Sequence, residues 1–133
     1  MTIEMKVMIS AEEIHAKVAE LGKAIDAHYA NSGKELVLIG LLRGSVIFMA
    51  DLCRTINKGH ELDFMTVSSY GSGTASTRDV KILKDLDGEI RGKDVLVVED
   101  IIDSGNTLSK VLEILETRAP NSIELCTLVS KPS

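Results

Sequence analysis

The residues most able to do chemistry in this chain lie close together, between positions 99 and 107. A short apolar strand, residues 95–98, ends in the adjacent carboxylates Glu99 and Asp100. A third carboxylate, Asp103, follows after two apolar residues. The small polar turn after it consists of Ser104, Gly105, Asn106 and Thr107. A helical pattern then begins at Leu108, so the turn leads into a helix N-terminus.

This segment combines two kinds of binding group. Backbone N–H groups around residues 104–107, at a helix N-terminus, have no intrahelical partner and can hold a phosphate. Carboxylates beside a phosphate would repel it unless they had partners of their own. Such partners are sugar hydroxyls, a bridging Mg²⁺ or a proton to be abstracted. The mixture therefore predicts a site for a phosphorylated sugar.

Composition limits the classes of function. A chain of 133 residues predicts one domain, large enough to bury a sizeable core. With a net charge of −5, 3% aromatic residues and no Trp, the chain lacks the basic and stacking surface that nucleic-acid binding needs. Since no apolar run could span a bilayer and no signal-peptide pattern opens the chain, the sequence predicts a cytoplasmic protein without membrane contact.

The cysteines and histidines give little support to metal or nucleophile chemistry. Cys53 and Cys126 sit among apolar neighbours without metal-ligand spacing, which predicts reduced, packed thiols. The histidines are too scattered for a metal site or a catalytic triad: His15, His28 and His60.

Strands and helices alternate along the sequence. Apolar runs predict strands over 36–41, 62–69, 80–84, 94–99 and 123–129. Helical spacing predicts one helix from the capping box at residues 10–13, a second over 46–56 with Ile47 among its buried residues, and a third from Leu108. The prediction is an α/β domain with a mainly parallel, twisted sheet flanked by helices, similar to a Rossmann fold.

Three unusual turns follow predicted strands. They are residues 42–45, the Gly- and Ser-rich stretch 70–77, and the acidic turn that begins at Glu99. In parallel sheets, ligands lie beyond the carboxyl ends of the strands. A right-handed, doubly wound sheet brings these three turns to one edge, where we expect the site.

At these residues the chain resembles the type I phosphoribosyltransferase family, and within it the bacterial hypoxanthine phosphoribosyltransferases. The signature is a run of apolar residues, Glu-Asp, two apolar residues, Asp-Ser-Gly and then Thr, which residues 97–107 match. The resemblance extends to Leu42-Arg43-Gly44, to Ser69-Tyr70 and to Lys131, and so covers nearly the whole chain.

The resemblance implies a role for each matching residue in binding 5-phosphoribosyl-1-pyrophosphate (PRPP). Glu99 and Asp100 would contact the ribose hydroxyls and the Mg²⁺ bound there, and Asp103 would be the general base near N7 of the purine. The residues that would cradle the 5′-phosphate are Ser104, Gly105, Asn106 and Thr107, beside Asp103.

The remaining matches concern the pyrophosphate and the purine. Leu42, Arg43 and Gly44 resemble the pyrophosphate-binding loop, while Ser69 and Tyr70 resemble the root of a mobile loop that closes over PRPP. Ile101 and Lys131 would bind the purine, with Lys131 reaching its 6-oxo group.

The implied activity is Mg²⁺-dependent transfer of the 5-phosphoribosyl group to N9 of hypoxanthine or guanine. Its products would be IMP or GMP and pyrophosphate, as in purine salvage, from a homodimer or homotetramer. The family continues past the position of Ser133 into a hood that stacks on the purine. The expectation is therefore a phosphoribosyltransferase core domain, residues 1–133, without that hood.

Other interpretations stay open at this point. A regulatory protein of the same fold would bind PRPP or nucleotides without catalysis. A phospho-acceptor signalling domain fits less well, because the strand over 36–41 ends without acids. Locally, Asp103 could simply cap a helix, and Arg43 or Lys131 could be a solvated surface cation.

Overall fold

The computed structural model describes residues 11–42, 45–69, 80–102 and 106–130. In these ranges three helices and five strands follow one another along the chain. The helices are α1 (Ala11–His28), α2 (Val46–Cys53) and α3 (Asn106–Glu116). The strands are β1 (Leu36–Leu41), β2 (His60–Ser69), β3 (Val80–Lys84), β4 (Asp94–Ile102) and β5 (Ser122–Ser130).

The strands form one sheet in the order β3-β2-β1-β4-β5. β1 pairs in parallel with both β2 and β4, and β4 pairs in parallel with β5. Only β3 is antiparallel among the described strands, paired with β2. The predicted α/β domain with a mainly parallel sheet is therefore confirmed.

Helices cover both faces of the sheet. On one face, α1 and α2 pack over alternate residues of β1 and β4, with Leu38, Leu52 and Val98 fully or almost fully buried. On the other face, α3 packs Val111 and Leu115 over the second set of strand residues. All six residues of β1 are buried, which explains why its sequence is continuously apolar instead of alternating.

The predicted helices are confirmed with one correction. In α1, Val18 and Ile25 are buried and Leu21 packs against them, as helical spacing predicts. The second helix ends at Cys53, earlier than predicted, and Ile47 is 73% exposed instead of buried. In so short and apolar a helix, spacing alone does not identify the face that meets the sheet, and Phe48, Met49 and Leu52 occupy it instead.

Asp94 fixes the amino end of the central strands. Its carboxylate is 2% exposed and accepts hydrogen bonds from Ser32 Oγ, from Asn121 Nδ2 at 2.7 Å and from Ser122 Oγ at 2.8 Å. Burial alone would raise the pKa of this carboxyl, but the three hydrogen bonds outweigh it and hold the pKa below the usual value. The network joins the start of β4 to the start of β5 and to the segment after α1.

Replacing Asp94 with Ala should reduce the free energy of unfolding by about 3 kcal/mol, because three donors lose their acceptor in a buried place. Urea denaturation at neutral pH measures the change. Asp51→Ala is the control, because the Asp51 side chain is 47% exposed and its ion pair with Arg54 lies at the surface. This control should cost less than about 0.5 kcal/mol. The folded-state pKa of Asp94 is depressed, so its stabilising effect is complete above the ordinary value of 3.8 and is lost as pH falls below it. The stability of Asp94→Ala should consequently fall less steeply in acid, and equal slopes for the two proteins would contradict this assignment.

Candidate functional site

The carboxyl ends of the four parallel strands lie at one edge of the sheet. Leu42 follows β1 directly, Ser69 is the last residue of β2, and β4 carries Glu99 and Asp100 near its end. Arg43, Gly44, Tyr70, Asp103, Ser104, Gly105 and Lys131 lie outside the described residues. The convergence of the three turns is thus confirmed for the strands from which they leave.

This edge contains the crevice at which doubly wound sheets bind ligands. After β1 the chain crosses to β2 on one side, and after β4 it crosses to β5 on the other. β1 and β4 are neighbours, with Gly40 beside Val98. Since the connections leave in opposite directions, a crevice opens beyond the carboxyl ends of these two strands. Leu42 follows the strand on one side of that crevice, and the end of β4, which contains Glu99 and Asp100, is the other side.

β4 is three residues longer than predicted and projects beyond β1. Its pairing with β1 ends at Val98, whereas its pairing with β5 continues to Ile102. Two β-branched residues, Ile101 and Ile102, favour this extension. Glu99 is half-buried and lies opposite Thr127 of β5. The acidic pair therefore belongs to a strand held from one side, and not to a free turn.

Only three residues separate the end of β4 from the start of helix α3. Its first residue is Asn106, two positions before the predicted helical pattern, so Asn106 and Thr107 belong to its first turn. N–H groups in the first turn of a helix have no intrahelical acceptor, and the helix dipole favours an anion there. The first turn carries no acidic residue that would compete with that anion. The backbone at this edge is accordingly suited to phosphate.

The ends of the predicted mobile loop are also placed. Ser69 of β2 pairs with Val80 of β3 in an antiparallel register. The end of β2 and the start of β3 are therefore neighbours in the sheet. The predicted root of the loop at Ser69 lies at the carboxyl end of β2.

The predicted metal ligands are the two adjacent acids of β4. No group of three or more His, Cys, Asp or Glu side chains that could hold a metal ion occurs among the described residues. Mg²⁺ does not need such a group, because it retains several waters and takes one or two carboxylates together with substrate phosphates. Glu99 and Asp100 are adjacent residues of β4, and carboxylates are the residue type that Mg²⁺ takes as protein ligands.

The cysteines take no part in this site. Both are free thiols, and burial raises the pKa of Cys126 to about 11. The prediction of packed, reduced thiols is consistent with the positions of the two cysteines.

Nε2 of His28, on α1, lies 3.7 Å from Oε2 of Glu124, on β5.

In the part of the chain that the structure describes, no helix is both long and apolar enough to span a bilayer.

Ser45 was predicted only as part of the turn over residues 42–45, with no role of its own, whereas the structure buries it completely beside the crevice. Its side chain bonds to Leu41, which ends β1. The only sequence signal is a small hydroxyl residue directly after the Arg-Gly pair, and that signal does not distinguish a buried serine from a helix cap.

An open, mainly parallel sheet with helices on both faces and a switch point between β1 and β4 defines a doubly wound α/β protein. Within that class the chain belongs to the phosphoribosyltransferase family, because the model of the phosphoribosyl transferase domain matches residues 10–133.

Individual relatives agree with this membership. The chain is 66% identical over 129 residues to a hypoxanthine phosphoribosyltransferase of Escherichia coli K12, covering 97% of this chain and 72% of the relative. It is 52% identical over 130 residues to a hypoxanthine-guanine phosphoribosyltransferase of Mycobacterium avium, covering 95% and 64%. A crystal structure of a hypoxanthine phosphoribosyltransferase from Staphylococcus aureus superimposes with a TM-score of 0.87 at 45% identity, over 94% of this chain and 67% of that one.

Proposed function

We propose that this protein is a hypoxanthine phosphoribosyltransferase of purine salvage. It transfers the 5-phosphoribosyl group of PRPP to N9 of hypoxanthine, with guanine as a second acceptor, and releases IMP or GMP and pyrophosphate. The observation that carries the proposal is the short passage from the acidic end of β4 to the N-terminus of α3 at the sheet's switch point. The identity of 66% to the Escherichia coli enzyme supports the choice of base.

The sugar phosphate lies between β4 and α3 in this proposal. Residues 104–107 hold the 5′-phosphate through backbone N–H groups and hydroxyls, and α3 directs its positive end at the same anion. Glu99 and Asp100 accept hydrogen bonds from the ribose 2′- and 3′-hydroxyls. With the ribose fixed at both positions, its C1 is held in the crevice between β4 and β1.

The leaving pyrophosphate lies on the β1 side. Leu42, Arg43 and Gly44 bind it, and the Arg43 guanidinium balances the negative charge that develops as the C1–O bond breaks. Glu99 and Asp100 would hold Mg²⁺, which when bound would supply further positive charge to the PRPP oxygens. The segment that starts at Ser69 and Tyr70 excludes water, which would otherwise hydrolyse the activated sugar.

The base lies beside the third carboxylate. Asp103 takes a proton from the purine as N9 forms its bond to C1, and the electron pair of the broken C1–O bond leaves with pyrophosphate. Lys131 binds the 6-oxo group, which selects hypoxanthine and guanine over 6-amino purines, and Ile101 gives the purine an apolar contact.

The experiment that tests this function is release of pyrophosphate from PRPP and Mg²⁺ in the presence of hypoxanthine. Guanine and a reaction without base run beside it. Release that depends on the base, with IMP as the second product, is the expected result. Binding of PRPP without release of pyrophosphate under any of these conditions would instead favour a regulatory protein of the same fold.

Replacing Asp103 with Asn should lower kcat by roughly 10²- to 10⁴-fold, because the amide cannot accept the purine proton. The KM for PRPP should change little. Steady-state kinetics with each substrate varied in turn separate the two effects. Asp87→Asn is a matched control, since that side chain is 86% exposed and should leave both parameters unchanged. Equal losses in kcat and in PRPP affinity would contradict the role of general base.

Replacing Glu99 with Gln should raise the Mg²⁺ concentration needed for half-maximal activity by about tenfold or more, because a charged oxygen ligand is lost. A titration of activity with Mg²⁺ at saturating PRPP measures this shift. Glu61→Gln serves as the control. It makes the same change at a carboxylate that pairs with Lys93 next to the amino end of β4, whereas Glu99 lies near the carboxyl end of that strand. An unchanged Mg²⁺ requirement in Glu99→Gln would remove Glu99 from the metal site.

The active form is proposed to be a homodimer or homotetramer. Five large apolar side chains are exposed among the described residues, and the three most exposed are Ile47 of α2, Leu62 of β2 and Leu83 of β3. Contact between copies would bury this surface. Light scattering on a sizing column should therefore give a mass of two or four chains of 14.4 kDa, and Ile47→Lys should shift the mass toward one chain. A single-chain mass for the unmodified protein would contradict the assembly.

A further inference from the structure

We propose that Thr127 of β5 is a positioning residue for Glu99 of β4, and that its hydroxyl orients the carboxylate that meets the ribose. This inference rests on the proposed contact between Glu99 and the ribose hydroxyls. It adds a residue from outside the motif over residues 97–107. Both residues belong to the part of the chain that the structure describes.

The two residues are direct neighbours in the sheet. β4 and β5 run in parallel, and their register places Glu99 opposite Thr127. Neighbouring strands lie about 4.8 Å apart, and residues opposite each other in a parallel pair extend their side chains to the same face. The two side chains therefore leave the backbone at adjacent points. The pairing of β4 with β1 has already ended at Val98, so β5 is the strand that holds Glu99.

The core shows which face the two side chains share. Val97 of β4 and Ile123 of β5 both pack in the cluster beneath α3. Because side chains alternate along a strand, Glu99 lies on the same face as Val97, and Thr127 lies on the same face as Ile123. The pair therefore shares a face with the helix whose N-terminus is proposed to bind the 5′-phosphate.

Thr127 is the polar neighbour of Glu99 among the described sheet residues on this face. Val97, two residues before Glu99, is fully buried, and Leu41 at the end of β1 is 8% exposed in the same cluster. Glu99 and Thr127 are each partly buried. Partial burial of a carboxylate beside apolar groups costs free energy, which a nearby hydrogen-bond donor offsets. The threonine hydroxyl is such a donor.

Threonine is well suited to orient a carboxylate. Its Cβ carries two heavy atoms, so χ1 is restricted and the hydroxyl keeps a narrow range of positions. Its backbone is fixed by the ladder between β4 and β5, which continues past it to Ser130. A glutamate side chain is flexible and loses conformational entropy when its carboxylate is fixed. A hydrogen bond from Thr127 restricts the carboxylate before the ligand arrives, so less entropy is lost on binding.

A threonine in a strand also has an ordinary structural explanation, because β-branched side chains favour extended backbone. That explanation predicts lower stability without Thr127 and an equal effect on every ligand. The positioning role predicts an effect only on ligands that carry the ribose hydroxyls, since these are the groups that meet Glu99. Loss of one net hydrogen bond corresponds to about a three- to tenfold change in an equilibrium constant.

The test removes the hydroxyl while keeping the shape of the side chain. Thr127→Val removes the donor and keeps the β-branch, whereas Thr127→Ser keeps the donor. Thr117→Val is the control, because it makes the same change just beyond the far end of α3. There the exposed Thr117 hydroxyl donates to the carbonyl oxygen of Ile114 at 2.6 Å. Thr127→Ala replaces Thr127→Val if the latter does not fold.

Calorimetry without Mg²⁺ compares two ligands, IMP and 2′,3′-dideoxy-IMP, which lacks both ribose hydroxyls. We expect Thr127→Val to bind IMP about three- to tenfold more weakly than the unmodified protein does, and to bind the dideoxy nucleotide equally well. Thr127→Ser should retain most of the IMP affinity, and Thr117→Val should retain all of it. In a Glu99→Ala background, Thr127→Val should cause no further loss, because the carboxylate that it orients is absent.

The outcomes separate this inference from the proposed function. The positioning role would be overturned by equal IMP affinity in the unmodified protein and Thr127→Val, by an equal loss with both nucleotides, or by the same loss in the Glu99→Ala background. An unmodified protein that binds IMP but releases no pyrophosphate from PRPP would overturn the proposed transferase activity, while a selective loss of IMP binding in Thr127→Val would still support the positioning role. No binding of IMP by the unmodified protein would overturn both.

Discussion

The site depends on the parallel pairing of β1 with both β2 and β4. Because β1 is buried on both faces and bonded on both sides, it is the fixed reference for the two connections that leave the sheet in opposite directions. The crevice beyond β1 and β4 is a geometric consequence of that reversal. No ligand is needed to create it. The functional residues need only follow these two strands directly in the sequence.

The two ends of the sheet are built differently. At the amino ends, carboxylates have partners within the protein. Asp94 accepts hydrogen bonds from Ser32, Asn121 and Ser122, and Lys93, directly before β4, pairs with Glu35 and with Glu61 of β2. At the carboxyl ends, an uncapped α2 and a first turn of α3 without acidic residues are suited to anions. Polar groups at the amino ends of the strands thus stabilise the fold, whereas polar groups at the carboxyl ends are suited to a ligand.

The sequence predicted those parts of the fold that local pattern determines. β1 and β3 were predicted with their observed bounds. A short continuous apolar run and a short alternating run are both typical of a strand. The predicted β4 ended too early, at Glu99, because acidic residues are common at the ends of strands. In fact Ile101 and Ile102 continue the ladder with β5. The wrong burial of Ile47 has a similar origin, since the face of a short apolar helix is chosen by its neighbours in space.

The candidate site likewise has residues that local sequence pattern predicts and residues that it does not. Glu99, Asp100 and the start of α3 could be predicted because their types and spacing lie within ten residues of sequence. Ser45 could not, because its meaning depends on Leu41, on the partner Met65 of the next strand and on the missing side chain of Gly40. A serine before a helix has a local interpretation, that of a cap, and only the three-dimensional arrangement shows that its hydrogen bond runs the other way. Groups that meet a ligand are therefore visible in a motif, whereas the groups that hold them in place become visible only when the strands are paired.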